Sequence, residues 1–146
     1  IDGAVTVAAV GRGLNRAFYS TSGVNVEIAA PGGDARASGN SLQEGGILQQ
    51  MADQDLVITY DRGPALFRAP RFDAFRFYYL QGTSMATPHV AGFAALLRQQ
   101  GLTNPAAIEA AMKQFATDRG ATGRDDLYGA GLINPRATLR GLGLAR

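Results

Sequence analysis

Apolar residues fall in short clusters through the first third of the chain and in helical stripes through the last. Val5, Val7 and Val10, set among small residues in IDGAVTVAAV, read as a short buried strand, and Val24, Val26 and Ile28 in GVNVEIAAPGG as a second. Gly11 to Ser22 would connect them. Ala30-Pro31-Gly32-Gly33 ends the second strand, because proline donates nothing to a ladder and glycine accepts turn dihedrals. From Asp34 to Gly46 the composition is that of a loop, polar and rich in Gly, Ser and Asn. DLVITY (Asp55 to Tyr60) and FRFYYL (Phe75 to Leu80) have strand composition, so a hairpin-like excursion is expected there.

Two helices are expected after it. The first starts near Ser84, which can cap it, and runs through HVAGFAALLRQQ to Gly101. It is apolar nearly all round, which predicts burial on every side. Pro88 lies about one turn in, where a missing N–H costs little. The second has Asn104 as cap and Pro105 at its first position, with Ile108, Ala111, Met112 and Phe115 on one stripe. That pattern predicts an amphipathic outer helix.

Composition removes several function classes. With 146 residues, 46% hydrophobic and 18% charged, the chain has the make-up of one globular unit. A net charge of +2, from 14 basic and 12 acidic residues, gives no electrostatic case for nucleic acid as a partner. Cysteine is absent, so disulfides, thiolate metal sites and thiol nucleophiles fall away. No apolar run reaches the length of a membrane span. Ile1 is neither an initiator methionine nor the basic head of a signal peptide, which leads us to expect an N-terminus upstream.

The candidate chemistry lies in GTSMATPHVAG, Gly82 to Gly92. Ser84 is placed like a nucleophile, and the chain's single histidine, His89, follows five residues later. On one helix that separation means ~500° of rotation and ~7.5 Å of rise, so the imidazole points away from the hydroxyl. His89 is therefore expected to be a buried, hydrogen-bonded helix residue and not the base. A serine hydroxyl is a weak nucleophile without a base at hydrogen-bond distance, so a catalytic Ser84 requires a histidine from elsewhere.

GTSMATPHVAG closely resembles the nucleophile segment of subtilisin-like serine proteases, the subtilases. AVTVAAV, FYSTSG and VEIAAPGG resemble the strand, turn and strand ahead of that segment, and LYGAGLINPRATL resembles its closing part. The span between Gly32 and Gly82 is longer than in the compact members. ILQQ followed by FYYLQGTSMATPHVAG resembles a bacterial branch with an extended loop there. The resemblance implies an α/β chain, part of a three-layer fold with a mostly parallel sheet and a central buried helix starting near Ser84. Residues 1–146 would form the C-terminal part of a catalytic domain, with a loop or hairpin insertion at about 33–80.

The functional implications follow residue by residue. Ser84 would be the nucleophile and its backbone N–H half of an oxyanion hole, while the triad Asp and His and the oxyanion Asn would lie upstream. Leu80 and Met85, carried over by position, would line the leaving-group side of the cleft, and Thr83 would be structural. The activity implied is that of a serine endopeptidase acting on protein or peptide substrates, inactive in this segment without the upstream remainder of the domain. The alternative is a catalytically silent module that binds or scaffolds.

No cofactor is required for such chemistry. Calcium is a common structural ion among subtilases, but GGDARASGNSLQEGG offers only Asp34 and Glu44 as carboxylates, and a hard cation takes six to eight oxygens. No metal site is expected in this loop. Glu27 and Asn25 lie where some relatives place a weak cation. Export to the cell envelope or beyond is implied by the resemblance alone.

Overall fold

The computed structural model describes residues 3–53 and 71–144. The chain forms β1 (Val7–Val10), β2 (Ile28–Pro31), a 3-10 turn at Arg36–Ser38, α1 (Leu42–Gly45), β3 (Ile47–Asp53), β4 (Arg71–Leu80), α2 (Thr83–Gln99), α3 (Pro105–Gln114) and α4 (Pro135–Gly141). β1 and β2 pair in parallel, Val7 opposite Ile28 and Val10 opposite Pro31. β3 and β4 pair antiparallel, with Ile47 opposite Leu80 and an irregularity after Ala52.

Alternation along the parallel pair sorts side chains into two cores. Val7, Ala9, Ile28 and Ala30 face Ala86, Val90, Phe93 and Leu97 of α2 and the stripe Ile108, Ala111 and Met112 of α3. Ala8, Val10 and Ala29 face the other way, toward Val26, Tyr128 and Leu132. Helices therefore cover one face of the strands and the 126–132 region covers the other, which makes an α/β arrangement of three layers. Alanines on the strands let the helix backbone come close.

Several expectations are corrected here. β2 starts at Ile28 and not at Val24, which is 70% exposed; the segment before it is held by the Arg124 guanidinium, which donates to the Val24 and Val26 carbonyls. The loop after Gly33 contains two short helical turns, and the Ser41 hydroxyl caps α1 by accepting from the Glu44 N–H at 3.3 Å. FRFYYL falls within β4, and its partner strand contains ILQQ. DLVITY lies outside the described residues.

The helix after the Ser84 region is not buried on every side. Its buried residues, Ala86, Val90, Phe93 and Leu97, follow one stripe, while Thr87, Ala91, Gly92 and Ala95 are exposed. Two strands are enough to cover one side of a helix only, and no described residue covers the other. α3 matches its pattern: Asn104 Oδ1 accepts from the Ala106 and Ala107 N–H groups at 2.9 and 3.2 Å, and Ile108, Ala111 and Met112 are buried. α4 repeats the same Asn-Pro start at Asn134-Pro135.

Candidate active site at the start of the long helix

The end of β2 builds the frame that holds the segment before Ser84. The Gly82 N–H donates to the Gly32 carbonyl at 2.9 Å, and the Ala35 N–H donates to Gln81 Oε1 at 2.7 Å. Gly32 is glycine for a steric reason: a Cβ there would come within 2.6 Å of the Ala9 Cβ and 2.7 Å of the Gly82 oxygen. Two extra ties tighten the frame. The Tyr19 hydroxyl lies 2.7 and 2.5 Å from the Gly32 and Gly33 carbonyls and donates there, and the buried Asp34 carboxylate accepts from the Phe18 and Ala37 N–H groups. Burial, with the Asp34 charge nearby, pushes the Tyr19 phenol above its ordinary value despite a hydrogen bond to the Gly82 backbone, so it stays a donor.

Gly82, not Ser84, is the residue that opens the helix. Its φ of 155° and ψ of 162° suit glycine, and no side chain caps α2. Its carbonyl accepts from the Met85 and Ala86 N–H groups at 2.9 and 3.2 Å. The amides of Thr83 and Ser84 come before these, where a helix offers no acceptor of its own. Ser84 is the second helical residue and is exposed. The positive end of the helix dipole thus meets an open serine.

The other expected residues gather around it. Met85 is half-buried and its sulfur packs beside Gly82, 3.7 Å from where a Cβ would stand. Leu80 closes β4 opposite Ile47, also half-buried. The Thr83 carbonyl accepts from the Thr87 hydroxyl at 2.9 Å. His89 is exposed and not buried as expected, because it falls on the side of α2 away from the strands. Its Nδ1 lies 2.8 Å from the Met85 carbonyl and so carries the proton, turning the ring back along the helix. No described residue supplies a base for Ser84.

Glu27 does not fit a metal. Its Oε2 accepts from the Thr6 N–H at 2.8 Å and its Oε1 from Lys113 Nζ at 2.9 Å, and the same ammonium reaches Glu109 Oε1 at 2.5 Å. Burial acts to raise the Glu27 carboxyl, but those hydrogen bonds and the Lys113 charge outweigh it and hold the pKa below the ordinary value. Burial likewise acts against the Lys113 charge, and its bonds to Glu109 and Glu27 still raise its pKa. A lysine ammonium stands where a cation would have to sit. Among the described residues, no three of His, Cys, Asp and Glu converge to hold a metal.

Sequence reasoning missed Tyr19, Gln81 and Asp34 as positioning residues. Apart from the Ala37 N–H, three positions from Asp34, their partners are backbone groups 13 to 46 positions away, so no local pattern marks the ties they make across the frame. A signal does exist in the paired glycines Gly32-Gly33, read only as a strand stop.

The model of the subtilase family matches residues 1–131. Subtilisin BL of Lederbergia lenta is 31% identical over 141 residues, covering 94% of this chain and 38% of its own. The extracellular serine protease of Serratia marcescens is 46% identical over 61 residues, 41% of this chain and 6% of its own. Among solved structures, a protease from Pseudoalteromonas arctica superimposes with a TM-score of 0.70 at 33% identity, covering 96% of this chain and 36% of the other. The chain thus spans well under half the length of each.

Proposed function

This chain belongs to the subtilase family, and from that premise we propose that it is the nucleophile-bearing, C-terminal part of a catalytic domain, with its insertion at about 33–80, in a serine endopeptidase. Ser84 attacks the scissile carbonyl of a protein or peptide, and a histidine from the upstream part of the domain takes its proton. That histidine, oriented by an upstream aspartate, returns the proton to the leaving amine, and water then releases the acyl group. The Ser84 N–H and an upstream Asn side chain face the developing oxyanion, and the dipole of α2 adds to them.

The observation that carries the reading is the placement of Ser84. An exposed serine in the first turn of a 17-residue helix, behind a glycine clamped by the end of β2, combines access with a fixed position. Leu80 and Met85 flank it and line the leaving-group side. The chemistry requires no cofactor, and a structural calcium in the remainder of the protein is compatible with it. Export is supported by the extracellular relative from Serratia marcescens, and no described helix is long and apolar enough to cross a membrane.

The test is covalent labelling of the full-length protein. A fluorophosphonate probe should modify Ser84, with loss of label and of peptide hydrolysis in Ser84→Ala. Residues 1–146 alone should hydrolyse no peptide. Absence of labelling in the intact full-length protein would favour a silent binding module, and labelling that survives Ser84→Ala would place the nucleophile elsewhere.

A further inference from the structure

A cleft of about 500 Å³ beside the start of β2 is lined by Thr6, Val24, Asn25, Glu27, Lys113 and Arg124. The oxygens gathered there are of the kind a hard cation takes, the Val24 and Val26 carbonyls and the Glu27 and Glu109 carboxylates. Each is met instead by a side-chain cation. Arg124 donates to both carbonyls, at 3.1 Å to Val26, and Lys113 Nζ donates to Glu27 Oε1 at 2.9 Å and to Glu109 Oε1 at 2.5 Å. The other oxygen of Glu27 accepts from the Thr6 N–H at 2.8 Å.

The charges close as built. Glu27 and Glu109 face Lys113 and Arg124, while Asp126, 4.0 Å from Arg124, leaves its charge to solvent with its side chain 65% exposed. The Lys113, Glu27 and Glu109 side chains are 29%, 26% and 32% exposed, so water screens them only in part. A divalent ion entering the cleft would meet an ammonium and a guanidinium that already hold its ligands, and like charges repel. Both side chains arrive from far along the chain, Lys113 from 86 positions beyond Glu27 and Arg124 from 98 beyond Val26. They tie α3 and the segment after it to the start of β2, the joining task that a structural ion performs.

We propose that Lys113 and Arg124 take the place of a structural cation at the start of β2, so that this part of the domain stays joined without a hard cation from solution. The family resemblance puts a weak cation at Asn25 and Glu27, and the difference lies in these two side chains. The proposal does not depend on the chemistry of Ser84. A bound ion stabilises only as far as its free concentration exceeds its dissociation constant. A cation carried on the chain has a fixed effective concentration, and no chelator removes it. Removing the Lys113 ammonium leaves two carboxylates partly buried without their counter-charge, and only then does an ion from solution gain by entering.

The experiment measures melting temperatures of the full-length protein in a chelator and in about 10 mM calcium chloride, an excess over the weak end of calcium affinities. Calcium bound elsewhere in the protein acts alike on every variant, so the calcium-induced shift is the quantity compared. Lys113→Met should show a shift about 3 °C larger than the wild type, and Glu27→Gln added to it should abolish the excess. Lys113→Met/Arg124→Met should show a larger shift still; no increase from the single to the double variant would overturn the part given to Arg124. Lys113→Arg keeps a cation and should match the wild type, as should Glu27→Gln alone. A smaller shift in Glu27→Gln than in the wild type would put an ion at Glu27 and overturn the proposal. Equal shifts in Lys113→Met and the wild type, or a Lys113→Met protein that calcium does not help to fold, would overturn it as well.

Discussion

Gly32 and Gly82, fifty positions apart, are joined by one hydrogen bond of 2.9 Å and leave no room between them for a methyl group. The residue after a parallel strand is thereby locked to the residue that opens α2. Replacing Gly32 by alanine places a Cβ against the Ala9 side chain, the Gly82 carbonyl and the Tyr19 hydroxyl at once. A displacement of about 1 Å at a reacting group can cost about 100-fold in rate. Gly32→Ala in the full-length protein should lower kcat by that order while the fold persists, measured by peptide turnover beside far-ultraviolet circular dichroism; unchanged kcat in a folded variant would show that the contact does not position Ser84.

Gln81 holds the second tie. Its Oε1 satisfies the N–H of Ala35, a residue only 7% exposed. Gln81→Ala strands that donor and should destabilise the protein by about 1–3 kcal/mol, whereas Gln81→Glu keeps an acceptor and should recover part of the loss. Urea unfolding of the three proteins decides it, and equal midpoints for all of them would rule out the tie as a source of stability.

The Glu27–Lys113 pair makes stability depend on pH at both ends. The Glu27 pKa is below its ordinary 4.5 in the folded protein, so its contribution is complete above 4.5 and is lost as pH falls through the depressed value. The Lys113 pKa is above its ordinary 10.5, so its contribution is complete below 10.5 and is lost as pH rises through the raised value. Lys113→Met should therefore destabilise by about 1 kcal/mol on the plateau between about pH 5 and 10, the upper range for a pair not fully exposed, and by less outside it. A difference in unfolding free energy that stays constant from pH 3 to 11 would contradict this.

Met85 packs its sulfur beside Gly82 and one residue from Ser84, while Met112 is 2% exposed in the core. Peroxide should convert Met85 to a polar sulfoxide before Met112 and depress turnover severalfold. Peptide mapping of oxidised protein, with Met85→Ala as the resistant control, gives the measurement. Turnover unaffected by complete oxidation at Met85 would separate this side chain from the reaction.

The sequence by itself determined those features that depend on near neighbours. Asn104-Pro105 starts α3 because the cap and the missing N–H act within one turn, and Ile108, Ala111 and Met112 must share a face because helical geometry puts them there. The family was legible because the resemblance sits in eleven adjacent residues, Gly82 to Gly92, and the inability of His89 to reach Ser84 follows from helical geometry within the same stretch. What the tertiary structure decided lies across long separations. Val24 reads as a strand residue, but the parallel register with β1 begins only at Ile28, and the Arg124 guanidinium, supplied from a hundred positions away, takes the carbonyl before it. The apolar α2 reads as buried on every side, yet burial is set by what packs on it, and the two strands cover one stripe and leave His89 in the open. Tyr19, Asp34 and Gln81 became visible only when the turn from Gly32 to Ala35 met Phe18, Tyr19 and Gln81, because a hydrogen bond between distant segments leaves no periodic trace in the sequence that makes it.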